Sequence, residues 1–117
     1  ITPSPRVETA RRILRRMPSW KAFWFYRGMG DDIGLGASSL AEFVERLQQV
    51  DAKCIEFHAS RGDFEVWVRD ALHDIELAER VREACGEKLQ PEGMRRKLIS
   101  LMKSRVEELL RIASSLP

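Results

Sequence analysis

Apolar residues recur three to four positions apart along most of the chain, the spacing that places them on one face of a helix. The clearest run follows Ser39 and consists of Leu40, Phe43, Val44, Leu47 and Val50. Glu42, three residues after Ser39, completes a capping box, the pattern that marks a helix N-terminus. The sequence therefore predicts a helix that begins after Ser39 and ends near Val50.

The same spacing, with residues suited to helix ends, predicts three more helices. A first helix is expected to end at Pro18, with the apolar face Val7, Ala10, Leu14 and Met17. Asp63 and Asp74 are placed as N-caps of two later helices, and Gly86 suits the end of the second. The inward residues expected in these two are Phe64, Trp67, Val68, Ala71 and Leu72, then Leu77, Ala78, Val81 and Cys85.

A last and longest helix is predicted to open at Gln90, Pro91 and Glu92, because proline is favoured in the first helical turn. It would run for about 24 residues, or ~36 Å. Its apolar stripe is Leu98, Leu101, Met102, Val106, Leu109, Ile112, Ala113 and Leu116. Such a stripe is wide enough to serve a dimer as well as a core.

Residues 52–60 fit two structures. Asp51 can cap a short helix whose inner face is Ile55, His58 and Ala59. The same residues alternate as a strand would, with Ile55, Phe57 and Ala59 on one side. Both structures remain open from the sequence.

The segment 20–36 differs from the rest, with five aromatic residues followed by four glycines. We expect residues 22–27 to be extended or a short strand, with Phe23 and Phe25 inward. Trp20, Trp24 and Tyr26 are then available to stack on a partner or ligand. The glycines and Asp31-Asp32 indicate a loop, and their spacing is not that of a dinucleotide-binding motif.

The predicted fold is an all-α single compact domain of five or six helices with a short extended aromatic segment at 22–27. The alternative is an α+β fold in which 22–27 and 53–59 pair as two strands. Residues 1–5 are expected to be a frayed lead, and residues 6–117 one helical domain. A chain of 117 residues with 44% hydrophobic residues can bury one core without a second domain.

Composition also limits the environment and the chemistry. Cys54 and Cys85 match no metal spacing and follow nothing that resembles a secretory leader, so we expect free thiols and a cytoplasmic protein. No apolar run approaches the ~20 residues needed to cross a bilayer, so no membrane partner is expected. The charged fraction of 32% is compatible with a heat-adapted source. We expect no metal and no cofactor.

Charge is unevenly distributed. Residues 1–30 carry seven Lys or Arg and one acid, residues 31–90 seven and fourteen, and residues 91–117 six and three, which together give +2. Four arginines lie on one face of the first helix: Arg11, Arg12, Arg15 and Arg16. Like charges four residues apart repel, so an anion should lie nearby. It is either the chain's own carboxylates or the phosphate of a nucleic acid.

His58 is the one candidate for a general base, and a hydrolase or transferase would need it to meet Asp63 and Tyr26 in a pocket. Glu56 is two positions away and would lie on another helix face. His73 belongs to a different junction. We therefore assign no catalytic residue and regard an enzyme as the less favoured interpretation.

Arg61, Gly62 and Asp63 read as an adhesion tripeptide, but that role requires an exposed extracellular loop. A corner between two helices explains them better. Arg61 would end the first helix, Gly62 would form a left-handed turn, and Asp63 would be the N-cap of the next helix. His58 and Trp67 would then fix the angle of the corner by packing and one hydrogen bond.

The run SSLAEFVERLQQVDAKCIEFHASRGDFEVWVRD, residues 38–70, resembles a group of small, largely archaeal domains of unknown function. In that group an aromatic stretch and a glycine-containing loop lead into S-L-x-E-F, I-E-F-H and R-G-D-F-E-x-W. The matching elements here are Phe23-Trp24-Phe25, Ser39 to Phe43, Ile55 to His58, Arg61 to Trp67 and Leu77-Ala78. The resemblance covers residues 22–82. It implies a helical framework and an archaeal source, and no reaction.

These observations favour a non-enzymatic regulatory or protein-interaction module that docks a partner protein or a second copy through its aromatic segment or its last helix. The alternative is a nucleic-acid-associated protein that uses the arginine-rich first helix. The candidate binding residues are Arg11, Arg12, Arg15, Arg16, Trp24 and Tyr26.

Overall fold

Six helices and one β-hairpin make up residues 5–115, the part of the chain that the computed structural model describes. The elements are α1 (Pro5–Leu14), β1 (Phe23–Tyr26), β2 (Asp32–Ala37), α2 (Leu40–Gln49), α3 (Ala52–Arg61), α4 (Asp63–Asp70), α5 (Ile75–Gly86) and α6 (Pro91–Ala113). A single 3-10 turn, Ser19–Lys21, precedes β1. The predicted all-α fold with a short extended aromatic segment is confirmed. Of the predicted frayed lead, residues 1–4 lie outside the described residues and Pro5 already begins α1.

The long helix α6 forms the centre of the fold and packs against α1, α2, α3 and α5. Its buried apolar residues are Met94, Leu98, Met102 and Leu109. Of the rest of the predicted stripe, Leu101, Val106, Ile112 and Ala113 are half-buried, and Leu116 lies outside the described residues. Within residues 5–115 no helix is both long and apolar enough to cross a membrane.

Helix α1 is shorter than predicted, and its buried face matches the predicted one only at Val7 and Ala10. It ends at Leu14 rather than at Pro18, and its buried residues are Val7, Ala10 and Ile13. Leu14 is only half-buried. Met17 is buried, but beyond the helix, where its N–H donates to the carbonyl of Ser38 at 2.7 Å.

Local capping fixes where α2 and α3 begin, as predicted. The Ser39 hydroxyl accepts the N–H of Glu42 at 3.2 Å. The Glu42 carboxylate accepts the N–H of Ser38 at 2.8 Å, and this bond lowers the pKa of Glu42. Asp51 accepts the N–H of Lys53 at 2.8 Å. Because α3 covers residues 52–61, the alternative of a strand at 53–59 is wrong.

The partner of β1 is instead β2, in the glycine-rich segment that was expected to be a loop. Trp24 faces Gly36 across the antiparallel pair. A Cβ atom at Gly36 would lie 2.7 Å from the Trp24 ring. The absence of a side chain at Gly36 leaves room for the Trp24 ring to lie against β2. A glycine that indicated a loop from the sequence therefore lies within a strand.

A buried ion pair joins the start of α5 to α6. Asp74 caps α5 by accepting the N–H of Leu77 at 3.1 Å, as predicted. Its two oxygens also accept Nε and Nη2 of Arg105 at 2.8 and 3.0 Å. Burial acts to lower the pKa of Arg105, but the hydrogen bond and charge of Asp74 outweigh it and the pKa is raised. The guanidinium therefore stays charged inside the fold.

The buried face of α5 departs from the prediction at one position. Leu77, Ala78 and Val81 are buried as expected, but the fourth residue is Ala84. Cys85 is half-buried, and burial raises the pKa of its thiol to about 11. The thiol is therefore protonated and unreactive at neutral pH.

Candidate functional site

Helices α3 and α4 meet at a sharp corner. Gly62 adopts the left-handed conformation there, with φ 76°, and its N–H donates to the carbonyl of Ala59. The prediction that Asp63 caps α4 is wrong: Gly62 occupies the N-cap position, and Asp63 is the first residue of the helix. The Asp63 carboxylate turns away from its own helix toward His58 and Arg61.

His58 connects three elements through its two ring nitrogens. Its Nε2 accepts the backbone N–H of Tyr26 at 2.9 Å, and its Nδ1 lies 2.8 Å from Oδ2 of Asp63. Because a backbone N–H can only donate, Nε2 carries no proton, and Nδ1 donates to Asp63. Burial lowers the pKa of His58, although the hydrogen bond and charge of Asp63 act in the opposite direction. The imidazole is therefore held neutral, tying β1 to α3 and α4.

This geometry bears directly on the hypothesis of a catalytic His58. His58, Asp63 and Tyr26 do converge, but Tyr26 contributes its backbone N–H to the imidazole. A general base needs a free lone pair within reach of a substrate proton. The lone pair of Nε2 is already occupied, and His58 is only 4% exposed. This hydrogen-bonded arrangement of Tyr26, His58 and Asp63, which we call the clasp, is therefore structural.

A cavity of about 370 Å³ opens beside this clasp, between the hairpin and the α3–α4 corner. Its walls include Trp24, Tyr26, Met29, Phe57, Arg61 and Trp67. A second depression, which contains Trp20, Lys21 and Val66, adjoins it and shares Ala22, Asp63 and Trp67. We call the two together the aromatic groove.

The aromatic groove collects exposed apolar side chains. Among the described residues, seven large hydrophobic side chains are exposed, and four of them, Trp20, Trp24, Met29 and Val66, line this groove. Trp20 is 78% exposed and Met29 81%. Isolated exposed apolar residues are common, but their clustering around a cavity is typical of a binding surface.

Two of the three tryptophans of the groove, Trp24 and Trp67, are held in place by the backbone. Nε1 of Trp24 donates to the carbonyl of Ser19 at 3.0 Å. Nε1 of Trp67 donates to the carbonyl of Lys21 at 2.8 Å, and its ring stacks on Phe43 with centroids 5.0 Å apart. The walls that Trp24 and Trp67 provide are thus formed in advance of any ligand.

Comparison with known protein families shows which family the chain belongs to. The model of DUF5752, a family of unknown function, matches residues 21–115. The chain belongs to the DUF5752 family. The match contains the hairpin, the corner and every groove residue except Trp20, and it confirms the resemblance of residues 22–82 to a family of unknown function. No curated protein and no solved structure matches the chain significantly.

The arginine-rich helix α1 precedes the DUF5752 match, and none of its arginines lines the groove. Arg11 donates to the carbonyl of Ala113 at 3.5 Å, at the end of α6. Arg15 donates to the carbonyls of Arg12 and Ala71 at 2.6 and 3.2 Å, at the ends of α1 and α4. The partial negative charge at these helix C-termini therefore offsets the positive charge of Arg11 and Arg15.

Arg16 pairs with Glu42 at 3.3 Å, and Arg12 is exposed. The predicted binding residues thus fall into two groups: Trp24 and Tyr26 in the groove, and the four arginines outside it. Arg11 and Arg12 lie on α1, but Arg15 and Arg16 follow its end at Leu14, so the prediction that all four lie on the first helix is wrong.

Several groove residues were absent from the predicted binding residues, among them Lys21, Met29, Phe57 and Val66. Met29 is an apolar residue between two glycines, outside any helical face, and this position is the signal that could have revealed it. Val66 similarly interrupts the polar face of α4. Phe57 gave no such signal, because an inward position was equally consistent with its pattern.

Proposed function

We propose that the chain is a protein-interaction module that binds a partner protein through the aromatic groove. The observation that carries the proposal is the gathering of Trp20, Trp24, Met29 and Val66 around one cavity. Keeping such side chains in water forgoes the favourable free energy of burying them. A partner that covers them would recover that free energy on binding.

The rigidity of the groove supports the same role. Tryptophan is enriched among the residues that dominate binding energies at protein interfaces. Trp24 is already fixed by its hydrogen bond to Ser19 and by its contact with Gly36. Little conformational entropy is then lost when a partner packs against it.

The two other surfaces considered from the sequence gain less support. The apolar stripe of α6 packs against α1, α2, α3 and α5, and its members within residues 5–115 are all buried or half-buried. Arg11 on α1 and Arg15 just after it bond helix-end carbonyls, and Arg16 bonds Glu42. A nucleic acid would have to compete with these bonds. The groove is therefore the favoured surface.

The test compares two sets of exposed apolar residues. A double variant, Trp20→Ser with Met29→Ser, removes the two most exposed groove side chains, and Ile75→Ser, at 69% exposed, is the matched control outside the groove. Tagged wild type would first identify partners in native extract, and calorimetry with the purified partner would then give Kd. We expect the double variant to bind about tenfold or more weakly, as for interface hot spots, and the control to bind as wild type.

Equal weakening by the control, or full binding by a correctly folded double variant, would remove the groove from consideration. Circular dichroism and thermal melting establish folding. Sedimentation of the wild type and the double variant shows whether the partner is a second copy of the chain.

A further inference from the structure

The charges along the aromatic groove are not equally satisfied within the chain. Its two lining carboxylates each have an arginine partner. Oδ2 of Asp63 lies 3.1 Å from Nε of Arg61, and Oδ1 of Asp70 lies 3.0 Å from Nε of Arg69. Asp63 also accepts the Nδ1 proton of His58. Each negative charge of the lining is thus balanced by an arginine, although Oδ1 of Asp63 and Oδ2 of Asp70 accept no hydrogen bond within residues 5–115.

The lining cations retain unused donors. Nζ of Lys21 lies 5.0 Å from the ring centre of Trp20 and has no carboxylate within ion-pair distance among residues 5–115. Arg61 gives Nε to Asp63 and Nη1 to the sulfur of Met29, a weak acceptor, at 3.2 Å. Its Nη2 has no hydrogen-bond partner in the same part of the chain. Lys21 thus keeps an unpaired positive charge on one side of the groove, and on the other side Arg61, whose charge is paired with Asp63, keeps a free donor.

Arg61 is also oriented in advance. Its guanidinium lies 4.8 Å from the ring centre of Phe57, while Asp63 holds its Nε. A guanidinium offers a planar fork of donors that matches a carboxylate, and prior ordering reduces the entropy lost when that bond forms. Arg61 is half exposed and lines the cavity itself. An anion reaching it would therefore lie beside the aromatic walls.

We propose that the occupant of the groove is an acidic segment of the partner protein, with an apolar side chain inserted in the cavity and carboxylates paired with Arg61 and Lys21. The inference rests on the proposed function and specifies its ligand. Apolar burial would supply most of the affinity, and the two cations would supply the preference for acidic over neutral or basic segments.

The first experiment measures this preference with matched peptides. Three acetylated and amidated pentapeptides carry phenylalanine at the centre, flanked by aspartates, asparagines or lysines. Fluorescence anisotropy of the labelled peptides gives Kd at low and high salt. We expect the aspartate peptide to bind roughly fivefold more tightly than the asparagine peptide, the effect of one or two exposed ion pairs. High salt should reduce that ratio, and the lysine peptide should bind most weakly.

The second experiment locates the charge. Arg61→Gln and Lys21→Gln should each reduce the aspartate-to-asparagine ratio of affinities toward one, and this ratio is the readout because both residues also line the groove. Lys103→Gln is the matched control, because it removes an equal charge from an exposed position on α6. An unchanged ratio in both groove variants, or an equal loss in the control, overturns the inference.

The outcomes also separate this inference from the proposed function. If partner binding depends on Trp20 and Met29 but the asparagine peptide binds as well as the aspartate peptide, the acidic ligand is wrong and the groove stands. If neither peptide binds at millimolar concentration, the inference fails. If phosphatidylserine vesicles instead bind in a Trp20- and Met29-dependent way, the groove contacts a membrane surface, and both proposals fail.

Discussion

Replacing Asp74 by alanine should destabilise the fold more than any other single change of a polar side chain described above. The change removes the cap of α5, which costs about 1 kcal/mol of unfolding free energy. It also leaves Arg105 without its bidentate partner in an interior where the two side chains are 2% and 8% exposed. Breaking such a buried pair from one side costs about 3 to 5 kcal/mol.

The lower end of that range applies, because Arg105 keeps two other carboxylates. Nη1 of Arg105 lies 3.2 Å from Glu76 and also bonds Glu108, both of them partly exposed. We therefore expect a total loss of about 4 kcal/mol for Asp74→Ala, the sum of a cap and a pair at the lower end. Asp74→Asn, which keeps an oxygen acceptor for the N–H of Leu77, should lose about 1 kcal/mol less.

The decisive variant is the double change Asp74→Ala with Arg105→Met. Methionine removes the unpaired charge and restores an apolar chain of similar length, so the double variant should be about 2 kcal/mol more stable than Asp74→Ala alone. Urea unfolding followed by far-UV circular dichroism gives the free energies by linear extrapolation. A double variant no more stable than Asp74→Ala would refute the view that the stranded charge of Arg105 is the main cost.

Three further predictions concern the hairpin and the corner. Burial lowers the pKa of His58 below its value in the unfolded chain. The unfolded chain therefore binds a proton at His58 at a higher pH than the folded protein does. The free energy of unfolding should consequently fall as pH drops below about 6.5, by at most ~1.4 kcal/mol per pH unit. His58→Gln should flatten this dependence in urea titrations between neutral and mildly acid pH, and an equal slope in both proteins would contradict the assignment. Gly36→Ala should displace the Trp24 ring, change the near-UV circular dichroism and lower the free energy of unfolding by about 1 to 3 kcal/mol. Gly28→Ala, where a Cβ atom meets open space, is the control and should have none of these effects. Asp63→Ala should lower the free energy of unfolding by about 1 to 3 kcal/mol, because the Nδ1 proton of His58 loses its acceptor. Asp63→Asn keeps an oxygen acceptor and should recover most of this loss. Equal melting temperatures of the two variants would contradict the assignment.

Helix starts were predictable from the sequence because capping is local. Ser39, Asp51 and Asp74 each bond a backbone N–H two or three residues later, so a few letters contain the whole interaction. Asp63 looked the same in sequence, yet its carboxylate bonds a histidine five residues earlier on the preceding helix. Gly62 alone ends one helix and starts the next, which frees Asp63 from capping.

The features that the sequence left undetermined depend on contacts between distant residues. Pairing of β1 with β2 depends on the fit of Trp24 against Gly36, which neither residue indicates alone. Arg105 interrupts the apolar stripe of α6 and would be taken for a surface residue from the sequence. Its burial could not be predicted, because its partner Asp74 lies 31 positions earlier in the chain. The aromatic groove could be predicted only in part, since Trp24 and Tyr26 were identifiable, whereas its shape depends on α3 and α4 reaching the hairpin.

The bond between the backbone N–H of Tyr26 and the imidazole of His58 gives the groove its own spectroscopic reporter. A ring nitrogen accepts this amide proton, so its chemical shift should respond to any movement of β1 against α3. Its exchange with solvent requires the clasp to open, and a ligand that spans the hairpin and the corner should slow that exchange. One amide signal would thus follow both the integrity of the groove and its occupancy, with no probe attached to the groove itself.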